Sequence, residues 1–190
     1  MKGKNFSCNN TGKRNLSDFY QTPYCLTDLL LKKEPVSGTI LEPACGEGAI
    51  VARLPYCTAW YDKERDFFKE TNKYDTIITN PPYSLAQEFI LKAKEVATKK
   101  IIMLLPLSYL HGKKRYDVIY QDKEFALKKI YVFTRYPMLE STIRPDGKHK
   151  TGMMVYAWFV WEKGYTAPPQ IDWLDNNEYV INKKEEKCLS

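Results

Sequence analysis

Residues 80–83 read Asn-Pro-Pro-Tyr and follow directly on the β-branched run Thr76–Thr79. Two consecutive prolines fix their own φ angles and keep Asn80 and Pro81 out of the helical region, so the turn is stiff and its carbonyls cannot rotate away. A stiff turn suits one kind of chemistry. An amine conjugated to a flat ring is a poor nucleophile because its lone pair is delocalised. Two acceptors held beside it, the Asn80 side-chain oxygen and the Pro81 carbonyl, draw it toward tetrahedral geometry and release that lone pair. Tyr83 can stack on the ring and hold it in line. A diproline also ends strands for purely structural reasons, so the turn needs support from elsewhere in the chain.

A second constellation lies upstream, where Thr39–Leu41 leads into Glu42-Pro43-Ala44-Cys45-Gly46-Glu47-Gly48. Glycines at 46 and 48 permit a tight turn and close approach of backbone to a ligand. The third glycine of the dinucleotide fingerprint is missing, since position 51 is Val, and Glu42 is an acid where a pyrophosphate would sit. The pattern points away from NAD and toward a cationic ligand. Asp62, just past Thr58–Tyr61, can accept both hydroxyls of a ribose. Incidental acids on a tight surface turn are the alternative.

The elements that must position these residues are short apolar runs: Thr39–Leu41, Thr58–Tyr61, Thr76–Thr79, Lys100–Leu105, Lys129–Thr134 and Met153–Trp161. In the first two-thirds of the chain they alternate with segments of helical character, which implies an α/β fold with parallel strands and crossover helices. Thr22 followed by Pro23 predicts a capped helix start, with the helix running to about Lys33. Ser84-Leu85-Ala86-Gln87 reads as a capping box opening a helix to about Ala97, with Leu85, Phe89, Ile90 and Ala93 on one face. Met153–Trp161 is expected to pair with Lys129–Thr134 across the charged connection 135–151. Beyond Gly164, Pro168-Pro169 are expected to break regular structure. The organisation expected is a basic flexible stretch over 1–14, one catalytic domain over 15–165 and a partly disordered extension over 166–190.

The 190 residues suffice for one core and scarcely for two. With 44% hydrophobic and 27% charged residues, disorder and low-complexity polymers are excluded. No uncharged stretch approaches the ~20 residues that span a bilayer, and residues 1–7 lack the apolar region of a signal peptide, so a cytoplasmic protein is expected. Five cysteines without a Cys-x-x-Cys pair and two histidines fit reduced thiols and leave a metal centre poorly supplied. The net charge of +6 is unevenly spread: residues 1–14 carry four cations and no acid, and residues 111–150 carry ten cations against five acids. Lys113-Lys114-Arg115 and Lys148-His149-Lys150 are the densest clusters. They suit either a polyanion partner or a solvated face.

The order Asp18-Phe19-Tyr20-Gln21-Thr22-Pro23, Leu41–Gly48, Asn80-Pro81-Pro82-Tyr83 and a terminal hairpin with Tyr156-Ala157-Trp158-Phe159-Val160-Trp161 resembles S-adenosylmethionine-dependent methyltransferases of the amino-group type. Among these it is most similar to N6-adenine DNA methyltransferases, particularly small phage-type members. The resemblance spans roughly Asp18 to Gly164. It implies a Rossmann-like class I methyltransferase fold, a seven-stranded, mostly parallel sheet with one antiparallel strand. By the same resemblance Asn80, Pro81 and Tyr83 form the catalytic motif, with Pro82 holding its shape. Tyr20, Thr22 and Pro23 touch the methionine end of S-adenosylmethionine, Glu42, Ala44 and Gly46 cradle its amino acid and backbone, and Asp62 takes its ribose. Asp66 and Phe67 resemble the pair that hydrogen-bonds and packs on its adenine. Only three residues separate Asp62 from Asp66, where the family commonly inserts a helix.

The activity implied is methyl transfer to the exocyclic N6 of adenine in DNA. Methyltransferases of RNA or of protein glutamine use the same turn, and a non-catalytic cofactor- or DNA-binding module is a further alternative. Cytosine N4 enzymes generally show Ser-Pro-Pro-Tyr instead. Family members that read a DNA sequence usually carry an additional recognition domain, for which fewer than 30 residues remain after Trp161. Specificity is therefore expected to be short or relaxed, or supplied by a protein partner or homodimer. Lys113, Lys114, Arg115, Lys148 and Lys150 are the expected phosphate contacts. A single-stranded substrate would avoid the few kcal/mol that flipping a base out of a duplex requires. For a phage-encoded chain the compartment would be the host cytoplasm.

Overall fold

The computed structural model describes residues 21–60, 65–134 and 155–176. Seven strands form one sheet: β1 (Ile40–Glu42), β2 (Ala59–Trp60), β3 (Tyr74–Thr79), β4 (Ala97–Pro106), β5 (Phe125–Phe133), β6 (Tyr156–Lys163) and β7 (Gln170–Leu174), in the order β2-β1-β3-β4-β6-β5-β7. β1 pairs in parallel with β2 and β3, and β3 with β4. β6 runs antiparallel between β4 and β5, and β7 returns parallel to β5 at the far edge. One antiparallel strand in a mostly parallel sheet is the arrangement expected.

The sheet is covered on both faces, which is why its central strands are apolar runs rather than alternating ones. On one face Leu41, Ile77, Ile101, Met103, Leu105, Phe159 and Trp161 pack against Phe89, Ile90, Ala93 and Val96 of α2 (Ala86–Val96). On the other, Ile40, Ile78, Ile102, Leu104, Trp158 and Val160 meet Leu26 and Leu30 of α1 (Tyr24–Lys33) together with Ile50 and Leu54. Trp158 Nε1 donates to the Leu26 carbonyl at 3.0 Å, which satisfies its buried N–H and ties α1 to the centre of the sheet. No described helix is long and apolar enough to cross a membrane.

Three local expectations are corrected. Thr22 does not cap α1: the N-cap position is Pro23, and the Leu26 N–H is satisfied by the Pro23 carbonyl at 3.0 Å, leaving the Thr22 hydroxyl for another role. The helix expected from the capping box at Ser84 opens later, because the Pro82 carbonyl captures the Leu85 N–H at 2.9 Å and first winds a 3-10 turn over Tyr83–Leu85. α2 begins at Ala86 with Leu85 at the N-cap position. Regular structure also continues past Pro168-Pro169. These prolines precede the edge strand β7, where a missing N–H withdraws nothing from the ladder, and Gln170–Leu174 then pairs with Lys129–Phe133. Leu174 is fully buried at its end.

Candidate active site

Parallel strands deliver their carboxyl ends to one edge of a sheet, and ligands of open α/β sheets bind there. β1 and β3 are neighbours, so the glycine bend after Glu42 and the diproline turn after Thr79 emerge side by side. Tyr156 joins them because β6 is antiparallel: its first residue lies opposite Pro106, the last of β4. The Tyr83 and Tyr156 rings face each other at 5.4 Å between centroids, tilted by 33°.

The diproline turn leaves the carboxyl end of β3 directly. Pro81 is buried and Pro82 has φ −55° and ψ 120°. Asn80 is half-buried, and its carboxamide is engaged at both ends: Nδ2 donates to Thr22 Oγ1 at 3.0 Å, and Oδ1 accepts from the Tyr83 hydroxyl at 2.9 Å. The bond to Thr22 brings residues 22 and 80 together from opposite sides of a long sequence gap.

Glu42 is fully buried at the end of β1. Its Oε1 accepts from the Ala44 N–H at 3.0 Å, whereas Oε2 and the buried Thr79 hydroxyl oxygen find no hydrogen-bond partner among the described residues. Burial pushes the carboxyl from 4.5 up to about 8, opposed in part by the neighbouring Thr79 hydroxyl and the Ala44 amide. A buried carboxyl with an orphaned oxygen suits a cationic group, whose charge would bring it to the ionised form. Beyond it, Gly46 and Gly48 have φ of 55° and 80°, conformations that favour glycine. A Cβ at Gly48 would meet nothing within 4 Å, so the bend faces open space. Ala44 is half-buried on the same bend. An orphaned acid beside an open backbone cradle fits an amino-acid-bearing cation.

Asp66 caps the 3-10 turn Phe67–Lys69, its side chain accepting from the Phe68 N–H at 3.0 Å. Phe67 is buried, with its ring 5.1 Å from that of Phe89 on α2. Tyr20 and Asp62 lie outside the described residues, as do Lys148 and Lys150.

The cluster Lys113-Lys114-Arg115 forms the first turn of α3 (Lys113–Arg115), which continues as a π-helical turn over Tyr116–Tyr120. Two of the three cations have partners inside the protein. Lys113 pairs with Asp117, and Arg115 lies 4.6 Å from the Tyr109 ring centre while donating to the His111 carbonyl. Lys114 is exposed. Among the described residues no group of three His, Cys, Asp or Glu side chains is placed to hold a metal ion.

Sequence reasoning overlooked Thr79 and Tyr156 as members of this edge. Thr79 looks like an ordinary β-branched strand residue, and only the β1–β3 pairing sets its hydroxyl beside Glu42. Tyr156 reaches the edge because a strand enters the sheet there in reverse.

This architecture, with its paired bends at the carboxyl edge, is the class I methyltransferase fold. A protein assigned as a class I S-adenosylmethionine-dependent methyltransferase from Listeria monocytogenes superposes with TM-score 0.56 at 13% identity, over 81% of this chain and 65% of that one. A protein assigned as an RNA methyltransferase from Pyrococcus horikoshii gives 0.55 at 13%, over 78% and 89%. A modification subunit assigned to a type I restriction enzyme of Vibrio vulnificus YJ016 gives 0.54 at 10%, over 90% and 52%. The chain thus spans 65% of the first of these proteins and about half of the modification subunit. No protein-family model and no curated protein sequence matches the chain.

Proposed function

We propose that the protein is a methyltransferase that uses S-adenosylmethionine to methylate the exocyclic N6 amine of adenine in DNA. The observation that carries this reading is the emergence of two acceptor groups from the carboxyl ends of the neighbouring strands β1 and β3: the buried Glu42 carboxyl with its unpartnered Oε2, and the Asn80 carboxamide on its diproline corner. Glu42, Ala44 and Gly46 would hold the amino-acid end of the cofactor, with Thr22 and Pro23 nearby through Asn80. When bound, S-adenosylmethionine supplies an electrophilic methyl group on a sulfonium centre.

The chain's own residues act on the other reactant. Asn80 Oδ1 and the Pro81 carbonyl accept the two N–H bonds of the adenine amine and bend it away from conjugation, which exposes the lone pair. Tyr83 stacks on the ring and fixes its approach. Neither oxygen need accept the proton that nitrogen loses, since a methylated ammonium is acidic enough to release it to water. The likeness to a modification subunit supports DNA as substrate, and the exposed cation Lys114 supplies charge for a phosphate backbone. A protein partner or second copy would then supply sequence specificity.

RNA is the second reading, supported by the Pyrococcus horikoshii protein, of which the chain spans 89%. Incubation of the chain with methyl-labelled cofactor and single-stranded DNA, duplex DNA or RNA, followed by digestion to nucleosides, tests both. Label in N6-methyldeoxyadenosine is expected. Label confined to RNA or to protein overturns the DNA assignment, and no transfer to any acceptor favours a non-catalytic binding module.

A further inference from the structure

A carboxamide has two ends of nearly equal shape and opposite hydrogen-bonding character, and a half-turn about its last torsion exchanges them. Only one orientation of Asn80 serves an aminated ring, that with Oδ1 outward; the other sets N–H against N–H. The protein brackets this carboxamide with two hydroxyls of different kinds. Tyr83 offers a phenol, a good donor and poor acceptor because its lone pairs are drawn into the ring. Thr22 offers an aliphatic hydroxyl, the better acceptor. The observed arrangement, Tyr83 donating to Oδ1 at 2.9 Å and Thr22 accepting from Nδ2 at 3.0 Å, follows that order.

The two brackets differ in what happens when a substrate arrives. An amine that takes Oδ1 must share that oxygen with the Tyr83 hydroxyl or displace it, whereas Thr22 holds the other end of the carboxamide. Thr22 is 5% exposed and is followed by Pro23, whose φ of −57° and ψ of 133° lead into α1. That helix is anchored by buried Leu26 and Leu30 and by the Trp158 bond to Leu26. Thr22 is thus the rigid member of the pair.

We propose that Thr22 is a positioning residue whose hydroxyl, by accepting from Nδ2 of Asn80, keeps the carboxamide oxygen turned toward the reacting amine throughout turnover. This deepens the function proposed above and rests on it for the identity of the amine, but not for the contact itself.

Two arms of one experiment separate the two dependencies. In the ligand-free full chain, the side-chain amide resonances of Asn80 are identified by their loss in Asn80→Asp, then followed in Thr22→Val and Thr22→Ser. The Val variant is expected to shift them toward solvent-like positions and to speed their exchange about tenfold, while Ser keeps them near wild type. In methyl transfer, Val is expected to lower kcat on the order of tenfold to a hundredfold with substrate KM within about threefold, and Ser to recover most of the loss. Binding of S-adenosylhomocysteine is measured alongside, because Thr22 also lies beside the proposed cofactor site: a loss of cofactor affinity in Val that equals its loss in kcat assigns the hydroxyl to the cofactor and overturns the proposal.

Unchanged Asn80 resonances in the Val variant overturn the proposal, as does a Ser variant no better than Val. Should Val fail to fold, the Ser variant and the wild-type exchange rate still decide it, because an Asn80 amide exchanging as fast as solvent-exposed carboxamides contradicts the bond. A chain that methylates no nucleic acid rejects the proposed function and leaves the resonance arm to judge Thr22 alone.

Discussion

The hydroxyl of Tyr83 donates to Oδ1 of Asn80 at 2.9 Å, three residues back along the diproline turn, so the acceptor offered to an incoming amine already carries a bond from the protein's own donor. Substrate competes with this donor for the same oxygen. In Tyr83→Phe the ring is retained and this one competing donor is removed. The nucleic-acid KM is expected to fall about two- to tenfold, the worth of one neutral hydrogen bond, with kcat within about threefold. A rise in KM of similar size would show that the hydroxyl contacts substrate directly.

Asn80→Ala removes the carboxamide and leaves the prolines. Loss of about a hundredfold or more in kcat is expected, the range for removing one polar group aimed at a reacting centre, with cofactor affinity little changed. Equilibrium binding of S-adenosylhomocysteine beside single-turnover methylation checks both halves. Equal loss in the two would place Asn80 in the cofactor pocket instead.

Glu42 links pH to both stability and ligand affinity. Burial lifts its carboxyl from 4.5 to about 8, so the native ligand-free chain keeps a proton that the unfolded chain releases above 4.5. Its contribution to stability is complete below 4.5 and is lost as pH climbs through about 8. Chemical denaturation from pH 5 to 9 is expected to show a decline for wild type that Glu42→Gln lacks. A cationic ligand favours the ionised carboxylate, so binding at neutral pH is expected to release a proton. Calorimetry in buffers of different ionisation enthalpy reads that proton directly, and none should appear for Glu42→Gln.

The basic turn gives a graded expectation. Lys114→Ala, and Lys113→Ala at the cation shared with Asp117, should each weaken binding to DNA regardless of sequence and reduce the salt slope by about one where the cation meets a phosphate. Arg115 is a poorer probe because its stacking on Tyr109 makes its removal a packing change as well. An unchanged slope in the double Lys variant would assign this turn to solvation.

At the far edge, Leu174 is fully buried where β7 closes over β5. Leu174→Ala is expected to destabilise the fold by about 2–4 kcal/mol, seen as a lower urea midpoint at unchanged slope. Loss of less than about 1 kcal/mol would mean that β7 is a loosely held addition to the sheet.

What the sequence determined by itself was local. Pro81-Pro82 dictates a stiff corner through φ restriction alone, and Gly46 and Gly48 mark the bend because positive φ is inexpensive only for glycine. The apolar runs Thr39–Leu41, Thr76–Thr79 and Lys100–Leu105 were legible as strands, each overlapping one of β1, β3 and β4, since a sheet buried on both faces needs residues apolar on both sides. The helix face Phe89, Ile90, Ala93 is likewise a periodicity, and periodicity survives in one dimension.

Only the tertiary structure decided which of these local features meet. Thr22 looks like a helix cap until β3 brings Asn80 beside it and the Pro23 carbonyl takes over the capping role. Thr79 and Tyr156 carry no local signal at all, because their places at the carboxyl edge follow from strand order and from the reversal of β6. The proline pair at 168–169 reads as a stop, yet an edge strand tolerates prolines at its entry, and whether a strand lies at an edge is a property of the assembled sheet. Side-chain partners separated by tens of residues are chosen by the pairing of strands, and that pairing is a long-range outcome of burying the whole core at once.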